Sequence, residues 1–298
     1  MNNFKSLLLI LSLSLSIIGC RNKPYESKNE KLNSNQLENI SSKRVIALSS
    51  ISADIVNYIS PNNLVAIPGS SLLKDNNDFL NIPRISMGRT PPNLEKIISL
   101  NPDLVIGVKG FHSKTLKKLT DLNIKTISYD LRNWQDLESL IKSINFEINL
   151  NNDDKFQTFL TKNLYNCNNL ESLATDKKRN LIVLASSKPI LSPNSNSWAG
   201  EMLDMFNFNN LTKDLDSKSV FKGYVNLSPE WLLKNDPENI ILIQTRDDQL
   251  RNFVNTEPFN NLTAVKTNNV YRFNYYGLIN PGSLLSINKA CKDLKKII

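Results

Sequence analysis

The strongest constraint on the fold is a rhythm. From residue 44 onward, short apolar runs rich in strand formers alternate with segments whose apolar residues recur at helical spacing. RVIALSS (44–50) reads as a strand that ends in small residues. SADIVNYIS follows, with Ile55, Tyr58 and Ile59 on one helical face. NLVAIPG (63–69) is a second strand, closed by Pro-Gly. PPNLEKIISLNPDLVIGV predicts a helix opened by Asn93 and a strand over Asp103–Val108, and SKTLKKLTDLNIKTISYD repeats that order. Such alternation builds a parallel sheet from βαβ units. It resumes after residue 177 with NLIVLASS, WAGEMLDMFNF, SPEWLLKNDPENIILIQT, NNVYRFN and a closing helix, SLLSINKACKDLKKII.

Residues 150–177 break the rhythm. NNDDKFQTFLTKNLYNCNNLESLATD lacks Gly and Pro, and its apolar positions fall close to a helical period, so one long bridging helix is expected. The fold class is therefore α/β: two Rossmann-like lobes with parallel sheets, 44–149 and 178–298, joined by one long backbone helix.

The N-terminal stretch has a different role. Lys5 precedes an apolar, serine-laced run from Leu7 to Ile18, too short for a comfortable membrane crossing of about 20 residues. Residues 1–19 read as a secretory signal. Its end, Ile17-Ile18-Gly19-Cys20, resembles the bacterial lipobox, which implies lipidation of Cys20. The polar residues 20–43 then act as a flexible tether. The expected location is outside the cytoplasm, lipid-anchored at a membrane face. The formal charge is +8, with Lys and Arg scattered, which suits an anionic ligand or headgroups and makes no nucleic-acid stripe. Cys167 and Cys291 can pair in an oxidising compartment, but two buried thiols on apolar helix faces are the expectation. The chain has one histidine, His112, expected on the surface, and that excludes a bare zinc or manganese site built from several His.

RVIALSSISADIVNYI, PPNLEKIISLNPDLVIG, VNLSPEWLLKNDPENIILI and PFNNLTAVKTNNVYRFN, in this order and spacing, resemble the helical-backbone (class III) periplasmic binding proteins of ABC importers for ferric siderophores, cobalamin and haem. The likeness covers about residues 44–298. It implies the bilobal fold read above, a monomer, and a solute held between the lobes. It further implies that Glu95 and Glu230, each opening a helix that leads into a strand, meet arginines of an ABC permease dimer. An acid in a first helical turn is also favoured by the helix dipole alone.

In doubly wound lobes ligands sit beyond the carboxyl ends of the strands. Those positions hold Ser49, Ser50, Arg89, Lys109, Phe111, His112, Arg132, Trp134, Ser186, Ser187, Trp198, Tyr224, Arg246, Tyr275 and Tyr276. The expected ligand set is Ser50, Arg89, Lys109, Phe111, Trp134, Trp198, Tyr224, Arg246, Tyr275 and Tyr276. Aromatic faces suit a flat macrocycle or catecholate rings, and arginine forks suit carboxylate or hydroxamate oxygens. The expected cargo is a ferric siderophore or cobalamin, with haem less favoured, and no resident cofactor or metal. No GxSxG, HExxH or GxxxxGK[ST] motif occurs, so no enzyme is expected. A chelatase-like tetrapyrrole enzyme and an envelope lipoprotein without a small ligand are the competing readings.

Overall fold

The fold was established from a computed structural model that describes residues 43–88, 90–148, 178–216, 221–244 and 249–298, together with 158, 161–162, 164–167 and 219. The predicted signal, Cys20 and the tether lie outside the described residues, as do Arg89 and Arg246.

The first lobe contains β1 (Val45–Ala47), α1 (Ser50–Ile59), β2 (Leu64–Ala66), α2 (Leu94–Ser99), β3 (Leu104–Val108), α3 (Ser113–Asp121), β4 (Lys125–Tyr129) and α4 (Trp134–Glu147). Its strands pair in the order β2-β1-β3-β4, all parallel. Side chains alternate across the sheet. Val45, Ala47, Leu104 and Ile106 pack with Ile55 and Val56 of α1 and with Leu137, Leu140 and Ile144 of α4. Ile46, Leu48 and Val105 face the other way, onto Ile97, Leu116 and Leu119. Both faces are buried, which is why β1 and β3 read as continuous apolar runs.

The second lobe contains β5 (Asn180–Leu184), β6 (Ser186–Ser187), β7 (Ile190–Pro193), α5 (Trp198–Met205), β8 (Asn209–Asn210), β9 (Tyr224–Leu227), α6 (Pro229–Asn235), β10 (Asn239–Ile243), α7 (Gln249–Asn255), α8 (Thr263–Lys266), β11 (Val270–Phe273), α9 (Tyr275–Leu278) and α10 (Leu284–Lys295). Its main sheet, β11-β10-β5-β8, is again parallel. Counted within each lobe, the second, first, third and fourth parallel strands stand side by side in both. The second lobe adds an antiparallel sheet, β6-β7-β9, which places Ser186 and Ser187 in a hairpin.

Most of the predicted bridging helix lies outside the described residues. Thr158, Thr161 and Lys162 are helical, but Leu164 is a bend and Tyr165–Cys167 a single 3-10 turn, so a straight helix over 150–177 is corrected at that point. The cysteines are corrected as well. Cys167 and Cys291 form a disulfide that ties the turn to α10. Residues 124 positions apart in sequence meet here, where the Asn288 side-chain oxygen of α10 also accepts from Asn166 N–H at 3.0 Å. Among the described residues no helix is long and apolar enough to cross a membrane.

Candidate functional site: an interlobe cleft

The chain leaves β1 toward β2 on one side and returns to β3 on the other, so the carboxyl ends of β1 and β3 flank a topological switch point. A cavity of about 670 Å³ opens there. That volume lies within the usual range for small-molecule sites. The first lobe lines it with Leu48–Ser50, with loop residues from Pro68 to Thr90, and with Val108, Phe111 and His112. The second lobe contributes Tyr275, Tyr276, Asn280 and Gly282.

Ser49 caps α1 by accepting from Ser52 N–H, and its hydroxyl also bonds the Tyr129 hydroxyl at 2.5 Å. The loop after β1 is thus tied to the end of β4. Burial pushes the Tyr129 phenol up to about 12, against the opposing effect of its hydroxyl partners, so it stays a protonated structural partner. Ser50 follows on the wall, buried at the first turn of α1. The N-terminal turn of α1 therefore borders the cavity and adds the positive end of its dipole.

His112 is buried rather than on the surface, a correction to the sequence expectation. Gly107 of β3 provides the space: a Cβ there would stand 3.0 Å from the His112 Cβ. Nδ1 of the ring accepts from Val108 N–H at 2.9 Å. Desolvation pushes the imidazole pKa down to about 4, so the ring is neutral at physiological pH. Phe111 meets the ring edge-on with centroids 4.8 Å apart and is itself 66% exposed.

On the opposite wall Tyr275 and Tyr276 are edge-on to each other at 5.3 Å. Gly277 follows with φ +101°, where a Cβ would stand 2.1 Å from the Ser286 carbonyl oxygen, so only glycine lets the chain turn against α10. Trp198 is not an aromatic cleft face. It is 3% exposed, and its Nε1–H donates to the Gly277 carbonyl at 2.8 Å. A buried indole needs a partner for that N–H, and the bond it finds braces the segment carrying both tyrosines. Trp134 stacks on Trp198 at 6.0 Å, half-buried and outside the cavity wall. Its backbone N–H donates to Glu201, so the start of α4 is fastened to α5.

Of the expected ligand set, the structure brings together Ser50, Phe111, Tyr275 and Tyr276. Lys109 is exposed and off the wall. Tyr224 is half-buried, its phenol pushed up by burial and then by nearby Tyr275, and it is not among the wall residues. Sequence reasoning missed Ser70, Ser86, Thr90, Asn280 and Gly282, which sit in loops without periodicity. The PGSS run after β2 and the NPGS run before α10 were the available signals. Among the described wall residues polarity comes from hydroxyls, an imidazole and an amide, with no Lys or Arg. The expectation of a cation-lined cleft is corrected to that extent. Arg132 instead lines a separate opening of about 880 Å³ beside α5, with Lys213 and Lys222.

Glu95 and Glu230 are both exposed, each in the first turn of a short helix, α2 and α6. Asn93 and Ser228 cap these helices in the same way, accepting from Lys96 N–H and Trp231 N–H. Each helix leads into the third parallel strand of its lobe. Hydrogen bonds from its own backbone N–H and from Ser228 hold the Glu230 carboxyl below the usual range.

Two parallel-sheet lobes enclosing a cavity at their strand ends define a bilobal solute-binding protein. The profile described as "Periplasmic binding protein" matches residues 45–275, and the chain belongs to that family. The Fe(3+)-citrate-binding protein YfmC of Bacillus subtilis is 29% identical over 192 residues, 61% of this chain and 57% of that protein, so the match spans little more than half of the relative. Among solved structures, a possible iron-binding (periplasmic solute-binding) protein from Staphylococcus epidermidis superposes with a TM-score of 0.71 at 19% identity, over 86% of this chain and 98% of that one. The periplasmic vitamin B12 binding protein BtuF of Vibrio cholerae gives 0.63 at 21% identity, over 86% and 97%. At such identities the likeness speaks to the fold alone.

Proposed function

We propose that this protein is the solute-binding component of an ABC importer, that it captures a ferric complex between its lobes, and that it delivers the complex to a permease dimer. The observation carrying this reading is the cavity at the first lobe's switch point, closed from the second lobe by Tyr275 and Tyr276. Its wall offers aromatic faces and many neutral hydrogen-bonding groups, which suits an oxygen-rich chelate. The likeness to a Fe(3+)-citrate-binding protein supports an iron cargo over cobalamin. Ser50, Phe111, Tyr275 and Tyr276 are the contacts proposed for it, and Arg89, which in sequence falls between the wall residues Gly88 and Thr90, is the proposed cationic partner. Cys20 is proposed to carry the lipid that keeps the exported protein near its permease, with residues 21–43 as the leash.

The test is a fluorescence titration of residues 21–298 with ferric citrate, a ferric hydroxamate, cyanocobalamin and haemin. One iron complex is expected to perturb tryptophan emission at micromolar concentration or below. Silence from the whole panel would remove the carrier reading. For the anchor, Cys20→Ala is expected to shift the protein from the membrane to the soluble fraction, and an unchanged distribution would refute lipidation.

A further inference from the structure

The wall holds one polar side chain that is 4% exposed and has a hydrogen-bonding edge without a protein partner. It is His112, the chain's only histidine. Nδ1 of the ring accepts the Val108 amide proton, so the neutral ring carries its own proton on Nε2. Among the described residues that Nε2–H has no hydrogen-bond partner.

We propose that His112 donates Nε2–H to an oxygen of the cargo's chelator, and that the cargo is therefore a coordinatively saturated complex recognised from outside its metal sphere. The proposal rests on the carrier reading above and narrows its substrate class. The alternative, imidazole ligation of an open metal position, needs a lone pair at Nε2. The proton would then have to move to Nδ1 and face the Val108 N–H, donor against donor, across the present 2.9 Å. A protonated imidazolium meets the same conflict. Only the neutral Nε2–H form satisfies the Val108 amide, and a part-buried amide without an acceptor is costly. The side chain is packed where it stands: a Cβ on Gly107 would be 3.0 Å from the His112 Cβ, and the Phe111 ring meets the imidazole edge-on at 4.8 Å.

A single histidine makes the test direct. Protein labelled with 15N-histidine and purified without a polyhistidine tag yields one imidazole spin system. Gallium citrate and a gallium hydroxamate serve as diamagnetic stand-ins for the ferric complexes, and tryptophan fluorescence reports binding in the same samples. The expected result is an Nε2 that keeps its proton on binding, with that proton shifted downfield and protected from exchange. Binding accompanied by loss of the Nε2 proton, or by unchanged His112 signals, overturns the proposal. Absence of binding in the fluorescence channel removes the carrier reading instead. His112→Gln, which retains a donor, should stay within about threefold of the parent affinity, whereas His112→Leu should lose about tenfold or more. Equal affinity of the Leu variant and the parent likewise overturns the proposal.

Discussion

Two titratable side chains near the cleft pull the pH dependence of stability in opposite directions. His112 is pushed down to about 4 by burial, from 6.5. Between those values the unfolded chain binds more protons, so this stabilisation is complete above pH 6.5 and is lost on acidification toward pH 4. Asp54 of α1 is pushed up to about 7 by burial, against a hydrogen bond from Leu284 N–H at the start of α10. Here the native state binds more protons between 3.8 and 7, so its stabilisation belongs to acid pH and is lost as the pH rises through 7. Asp54→Asn keeps an acceptor for Leu284 N–H without burying a charge. Its melting temperature should exceed the parent's by more at pH 8 than at pH 5, measured by calorimetry. The same difference at both pH values would refute the assignment. None of this was legible in the sequence, where His112 reads as a loop residue and Asp54 as one polar position on an amphipathic helix.

The elements around the cleft are braced by contacts between residues far apart in the chain. Trp198 of α5 holds Gly277 through one hydrogen bond. Trp198→Phe keeps the ring and removes the donor, leaving a buried carbonyl unpaired, which costs about 1–3 kcal/mol. Ligand affinity should fall with it, because Tyr275 and Tyr276 ride on that segment. An intact affinity would show that the brace is irrelevant to binding. The disulfide joins Cys291 of α10 to the 3-10 turn 124 residues earlier. Replacing both cysteines with Ser should cost about 2–5 kcal/mol in denaturant unfolding. An unchanged midpoint would mean that packing alone holds the turn. α2 was readable from its cap Asn93, since a polar cap before an apolar turn is a local signal, and α6 from the SPEWLLKN run that Glu230 opens. The hairpin β6-β7 and the bend at Leu164 were not, because both depend on what the segment packs against.

At the scale of the molecule the two lobes share one strand order, and that sharing puts Glu95 and Glu230 at equivalent places. Two like acidic points suit a two-fold-symmetric permease. The double variant Glu95→Ala, Glu230→Ala is expected to keep ligand affinity and to lose stimulation of the transporter's ATPase in proteoliposomes. Loss of ligand binding in that variant would overturn the docking role. The alternation of apolar runs and helical faces determined the parallel sheets, their burial on both faces and the repetition of the lobe, because each depends on side-chain periods of two and 3.6 residues. Which side chains wall the cleft was decided only in three dimensions. Trp198 turned inward to satisfy its N–H, Lys109 stayed in water, and the Pro68–Thr90 loop and the Asn280–Gly282 turn supplied the hydroxyls, amide and glycine that line it. Periodicity is a property of one element, whereas a cavity wall is assembled from the ends of several, and those ends carry no common period.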